Sequence, residues 1–243
     1  MLHGSIRASL TRDDAELALR LIARGSERAL AAAEALLRES GIDALLDDER
    51  LVPALVESRA GMHASLPLFF CAVVRRAFAL GPEPDRALAD YVAEVLVAFA
   101  ARGRAERVAE HDDQQYDTLS ALVADTGSGD APRSFLVRQH LGNYALWLSG
   151  MYPDLIETRR WRRGGPPLDY YDELGRRGFQ LAAAHRVARE QGMDAILARA
   201  AERFVAMRTA LNRVSDTLMF PTANSPERLM RQVRDEARWR QAS

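Results

Sequence analysis

The chain contains no lysine: all 33 of its basic residues are arginine. That absence excludes a Schiff-base lysine, a P-loop lysine and a serine–lysine dyad. The bias itself reads as genome composition rather than as a functional device. Cysteine is nearly as scarce. The one thiol, Cys71, lies in the apolar run Leu66 to Val74 and reads as a small buried hydrophobe. A lone cysteine provides neither an intrachain disulfide nor a multi-cysteine zinc site. Long apolar runs are missing too. The longest is interrupted by Arg75 and Arg76, well short of the roughly 18 residues that a membrane span needs. Met1 to Thr11 has no apolar core followed by small residues, so no signal peptide is expected and the cytoplasm is the expected compartment.

Charge of one sign is also lacking. The net charge of −1 gives no global field to attract nucleic acid. No Gly-x-Ser-x-Gly, P-loop or dinucleotide fingerprint is present. A ferritin-like diiron centre needs an acid three residues before a histidine, twice, and His3, His63, His111, His140 and His185 all lack one. The pair His111-Asp112 and the acids Asp113 and Asp117 resemble fragments of metal motifs of helical hydrolases and prenyl-transferring enzymes, but their flanks do not continue either pattern. No metal site and no catalytic set is assigned, and no cofactor is implied.

What is there is helix. Alanine, leucine, arginine and glutamate dominate, all good helix formers, and the apolar spacing stays close to 3.6. With 243 residues the chain is long enough to bury a sizeable core. The expectation is an all-α fold, a single compact bundle of about eight to ten helices spanning 1–243, with a peripheral C-terminal helix over 226–240. Thr11-x-x-Asp14 predicts a capping box opening a helix that pauses at Gly25-Ser26 and stops at Gly41. Further helices are expected from Asp48 to Arg59, where Pro53 must either fall in the first turn or leave a kink, from Leu66 after Ser65, from Asp85 to Ala101 and from Asp113 to Ala124. Asp130 and Pro132 open an apolar helix to about Gly150, and an arginine-rich connection follows Pro153. Helices over 169–191 and 193–219, parted at Gly192, lead to a last one capped by Ser225-Pro226.

The stretch Phe135 to Gln180 concentrates the residues whose presence calls for a reason. His140, Asn143 and Tyr144 sit on an apolar helix with no face polar enough for water, so His140 and Asn143 must find buried partners. Tyr171, Gly175, Gly178, Ala182 and His185 share one helical stripe. Each interior glycine costs about 1 kcal/mol relative to alanine, so something approaches that stripe closely, either a neighbouring helix or a bound molecule. Arg159, Arg160, Trp161, Arg162 and Arg163 form an arginine–aromatic cluster of the kind that contacts phosphate. On the last helix Arg228, Arg231, Arg234 and Arg238 share a face beside Leu229, Met230 and Val233. Such a face would dock an acidic partner, another subunit or anionic lipid heads.

Tyr91 to Phe99, Leu141 to Asp154 and Leu168 to Phe179 together resemble a family of bacterial all-helical proteins of no established function. In that family a Gly-Asp pair opens an apolar helix ending in Gly, an aromatic residue and Pro, followed by Asp-Tyr-Tyr and a glycine. Here Gly142-Asn143 stands in place of Gly-Asp, and Met151-Tyr152-Pro153 supplies the break. The resemblance covers residues 85–220 and implies an all-helical fold focused on this region. It implies no activity.

The expected function is non-enzymatic: partner binding or oligomerisation through Arg159–Arg163 with Trp161 and through the 228–238 face. The alternative is a small-molecule binder or enzyme. Its pocket would lie between the helices over 131–149 and 169–191, lined by His140, Asn143, Tyr144, Tyr171 and His185, with Arg159 or Arg160 at an anionic end. Nucleic-acid binding through the arginines is a third reading, disfavoured by the near-zero charge.

Overall fold

The computed structural model describes residues 6–81, 84–100, 104–109, 114–116, 118–127, 130–223 and 225–241, with side chains described to residue 236. Among these residues there is no strand, and fourteen α-helices form. The all-α expectation holds, but the count exceeds eight to ten because several expected elements are divided. The chain packs as two compact units, one from residues within 2–80 and 84–97, the other chiefly from residues 98–243.

In the N-terminal unit, α1 (Arg12–Ala23) opens with the expected capping box. The Thr11 side chain accepts from the Asp14 amide, and Asp14 accepts in return from the Thr11 amide. Arg24 and Gly25 both take positive φ, 46° and 82°, which separates α1 from α2 (Glu27–Ser40). Gly41, with φ of 71°, stops α2. The short α3 (Ile42–Leu46) and α4 (Leu51–Glu57) follow, the latter with Pro53 in its first turn, where no amide is needed. Ser65 caps α5 (Leu66–Ala79), whose Leu68, Cys71, Ala72, Val73 and Val74 are all buried. Asp85 accepts from the Leu88 amide at the start of α6 (Arg86–Ala100).

A cation sits inside this apolar packing. Arg75 of α5 is 3% exposed. Its guanidinium forms a fork on Asp90, at 2.6 and 2.8 Å, and lies 2.9 Å from Asp43 and 3.5 Å from Asp47. A buried cation persists only when matched in this way. Burial works against ionised Asp43, but the hydrogen bonds and charges of Arg75 and Arg7 outweigh it and hold the carboxyl below its ordinary range. Burial likewise pushes the Cys71 thiol up to about 12, so it stays protonated, as expected of a packed sulfhydryl.

The C-terminal unit comprises α7 (Leu119–Asp125), α8 (Ala131–Met151), α9 (Pro153–Arg163), α10 (Leu168–Ala183), α11 (Arg186–Glu190), α12 (Asp194–Glu202), α13 (Phe204–Val214) and α14 (Pro226–Gln241). A π-helical turn, Ser215–Met219, follows α13. The hub is α8, which packs against α7, α9, α10, α11 and α13. It buries residues on every side, which is why its sequence shows no polar face.

Four expectations need correcting. The helix expected from Asp113 begins only at Leu119, where Thr118 accepts from the Ala121 amide. The arginine-rich segment is a helix rather than a connection: Pro153 starts it, and Gly164 at φ 64° ends it. The helix over 169–191 breaks at Ala184, and that over 193–219 breaks at Arg203. The pair His111-Asp112 and the acids Asp113 and Asp117 lie outside the described residues.

Replacing Arg75 with Met leaves Asp43, Asp47 and Asp90 with the more exposed Arg7 and Arg86 as partners, so R75M should lose about 1–3 kcal/mol at neutral pH. Asp43 is depressed in the folded state, so its contribution is present above the unfolded carboxyl value, about 3.9, and is lost as pH falls through the folded one. Urea denaturation should therefore show the gap between R75M and the parent narrowing below that value. A gap independent of pH contradicts the assignment.

Candidate functional site

Three sides of α8 take different neighbours. On the first, His140, Tyr144 and Trp147 form a ladder, with ring centroids 5.9 and 5.8 Å apart and nearly parallel planes. Phe99 lies 5.5 Å from His140, and Tyr152 stands edge-on to Trp147 at 5.0 Å. The His140 Nε2 atom is 2.9 Å from the Ala105 carbonyl oxygen. His140 and Asn143 are each 3% exposed, buried as their spacing predicts.

The second side holds the glycines. A Cβ placed on Gly178 would sit 2.6 Å from the Gly142 amide nitrogen and 3.0 Å from the Arg138 carbonyl oxygen. At Gly175 it would strike the Phe204 ring, and at Gly142 the Phe179 ring. The close approach demanded by the glycine stripe is therefore that of α10 to α8, and the chain's own atoms close the seam. His140 and Gly142 are two positions apart, roughly 200° around the helix, so the imidazole faces away from this seam. Tyr171 is only half-buried and packs edge-on to Tyr170. His185 lies beyond the end of α10, where its Nδ1 caps α11 by accepting from the Val187 amide at 3.3 Å. The ligand residues expected from the sequence are thus not gathered in one place.

The third side is the end of α8. The Ser149 carbonyl would ordinarily accept from the amide four residues on, but that residue is Pro153, which has none. Asn212 Nδ2 of α13 donates to both the Ser149 and Gly150 carbonyls, at 2.8 Å each. Ser215 Oγ donates to the Met151 carbonyl at 2.7 Å. Asn212 in turn accepts from Arg208, whose Nε donates to Asp172 at 2.8 Å. Arg208 is 1% exposed.

That network continues into α14 and overturns the expected orientation of the helix. Arg228 and Arg231 point inward, 4% and 1% exposed. Arg228 donates to the carbonyls of Phe220 and Asp216, at 2.8 Å each, and to Asp154 at 3.3 Å. Arg231 donates to Asp154 at 3.0 Å and to Asp216 at 2.6 Å. Asp235 faces both Arg208 and Arg231. A cavity of about 190 Å³ lies beside Asn212, Asp216, Arg231 and Asp235. Arg234 is at the edge, 3.5 Å from Glu157, and the Arg238 side chain lies outside the described residues. The expected cationic docking face is therefore not presented at Arg228 and Arg231: Asp154 and Asp216 claim it.

The outward side of α14 is apolar instead, with Leu229, Met230 and Val233 exposed at 55, 63 and 66%. Met219 and Phe220, just before the helix, are also exposed. On α9, Trp161 is exposed with Arg160 stacked 5.4 Å from its ring, and Arg159, Arg162 and Arg163 are exposed around it. Sequence reasoning missed Asp154, Asp172, Arg208, Asn212, Asp216 and Asp235. A pairing of charges some 75 residues apart, such as Arg228 with Asp154, leaves no local signal; the absent amide of Pro153 was the one clue in reach.

Among the described residues no group of three or more His, Cys, Asp or Glu side chains is arranged to hold a metal ion, and no helix is long and apolar enough to cross a membrane. Compared with family models, curated proteins and solved structures, the chain matches none.

Two measurements check this geometry. Gly178→Ala should destabilise by about 1–2 kcal/mol in denaturant titration, because backbone cannot yield and overpacking, about 1–3 kcal/mol, exceeds the helical gain of alanine. For His185, burial and then the charges of Arg138 and Arg186 lower the pKa from 6.5. The neutral ring is the capping form, so its contribution is present above the unfolded value and lost as pH falls below it. NMR titration should place the His185 midpoint below 6.5; a midpoint at or above it contradicts the cap.

Proposed function

We propose that this protein acts by binding another protein chain, without catalysis, through the outer face of α14 and the cationic end of α9. The observation that carries this reading is the inversion of α14. Its arginines are desolvated against Asp154 and Asp216 while Leu229, Met230 and Val233 face water. A peripheral helix ordinarily buries its apolar stripe. Contiguous apolar side chains left outward and rimmed by charge mark an interaction surface. Trp161 among Arg159, Arg162 and Arg163 adds an aromatic–arginine pairing typical of interface anchors.

The double variant Leu229→Glu/Val233→Glu tests this on solvent-facing positions, where substitutions ordinarily change stability by less than about 0.5 kcal/mol. Purified protein should self-associate or retain a partner from lysate, as read by cross-linking and size-exclusion chromatography. The variant should lose that association while melting as the parent does. A parent that neither self-associates nor retains anything overturns the reading, as does a variant that behaves like it.

A further inference from the structure

We infer, resting on the reading of α14 as an interaction surface, that its occupant is α14 of a second copy of this chain, lying antiparallel across a two-fold axis. The pattern of the exposed residues carries the argument. Pro226, Met230 and Val233 follow one another at spacings of four and three, the repeat of a helix–helix seam. Leu229 flanks the seam on one side. On the other side stand Glu227, part-exposed, and Arg234, whose side chain is 52% exposed, seven positions later.

In an antiparallel pair, residues on the same flank of the seam face each other. Register centred between Met230 and Val233 sets Met230 of one copy against Val233 of the other. Glu227 then meets Arg234 of the other copy, twice, once on each side of the axis. Such a surface is self-complementary, as an isologous contact requires. A parallel pair would instead place Arg234 against Leu229 and Glu227 against Thr222, leaving the charges unmatched.

The inner face takes no part: Arg228 and Arg231 hold α14 to Asp154 and Asp216 of their own copy. The seam is short beside the roughly 800 Å² that each partner buries in a standard interface, so the association is weak and concentration-dependent.

Charge reversal tests the register directly. Sedimentation velocity over a wide concentration range should show a concentration-dependent dimer for the parent. Glu227→Arg sets Arg against Arg, and Arg234→Glu sets Glu against Glu; each alone should weaken self-association tenfold or more. Mixing the two variants restores both opposite pairs, so they should dimerise with each other but not with themselves. Arg234 also approaches the buried Glu157, so thermal melts accompany that variant, and E227R reads the same contact independently.

Variants that dimerise as the parent does, or that fail to recognise each other while still folded, overturn the antiparallel pairing. A parent monomeric at every concentration overturns the second copy as occupant. If that monomer still loses a lysate partner on Leu229→Glu/Val233→Glu substitution, the surface stands and only its self-recognition falls.

Discussion

In the C-terminal unit, the arrangement of α14 depends on two buried guanidiniums, Arg228 and Arg231, that have to be matched by opposite charge. Asp154 and Asp216, anchored on α9 and the π turn, supply that charge, while Asp172 on α10 pairs with Arg208 of α13. Stranding a buried charge costs about 3–5 kcal/mol, whereas covering one Leu, Met or Val side chain gains about 1.5–3 kcal/mol. Rotating α14 to bury Leu229, Met230 and Val233 would take both arginines away from Asp154 and Asp216 and set apolar side chains against those carboxylates. The charges win, and the apolar side is left outside.

The N-terminal unit solves the same problem on a smaller scale. Arg75 serves Asp43, Asp47 and Asp90 together because a guanidinium offers several planar donors. An ammonium would not form the fork on Asp90. A chain made without lysine thus uses its arginines as internal connectors, at Arg75, Arg208, Arg228 and Arg231, as well as at its surface. Arginine count alone was therefore a poor guide to where the cationic surface lies.

Features that depend on neighbours in sequence were legible from the start. The Thr11–Asp14 box, the stop at Gly41, the caps at Ser65, Asp130 and Ser225, and the break at Gly192 all form where their residues predict. The glycine stripe correctly signalled a close approach, but not which body makes it, since Phe204 and a ligand ring impose the same demand on Gly175. The face that α14 buries was not legible at all. Helical spacing gives two candidate faces, and the choice rests on Asp154 and Asp216, which arrive from elsewhere in the chain. At Arg159 to Arg163, charge density suggested a loop, while arginine's own helix propensity prevailed between Pro153 and Gly164.

The junction of α8 with Pro153 has a consequence for how this unit comes together. Most helical ends are completed by their own neighbours, so a helix can form and then dock. Here the carbonyls of Ser149 and Gly150 are met by Asn212, some 63 positions downstream. The final turn of the central helix thus stays incomplete until α13 arrives. An all-helical chain built largely of local contacts would ordinarily assemble quickly and piecemeal. This one ties its hub to a distant residue, so the unit's centre and its C-terminal third are gained or lost together.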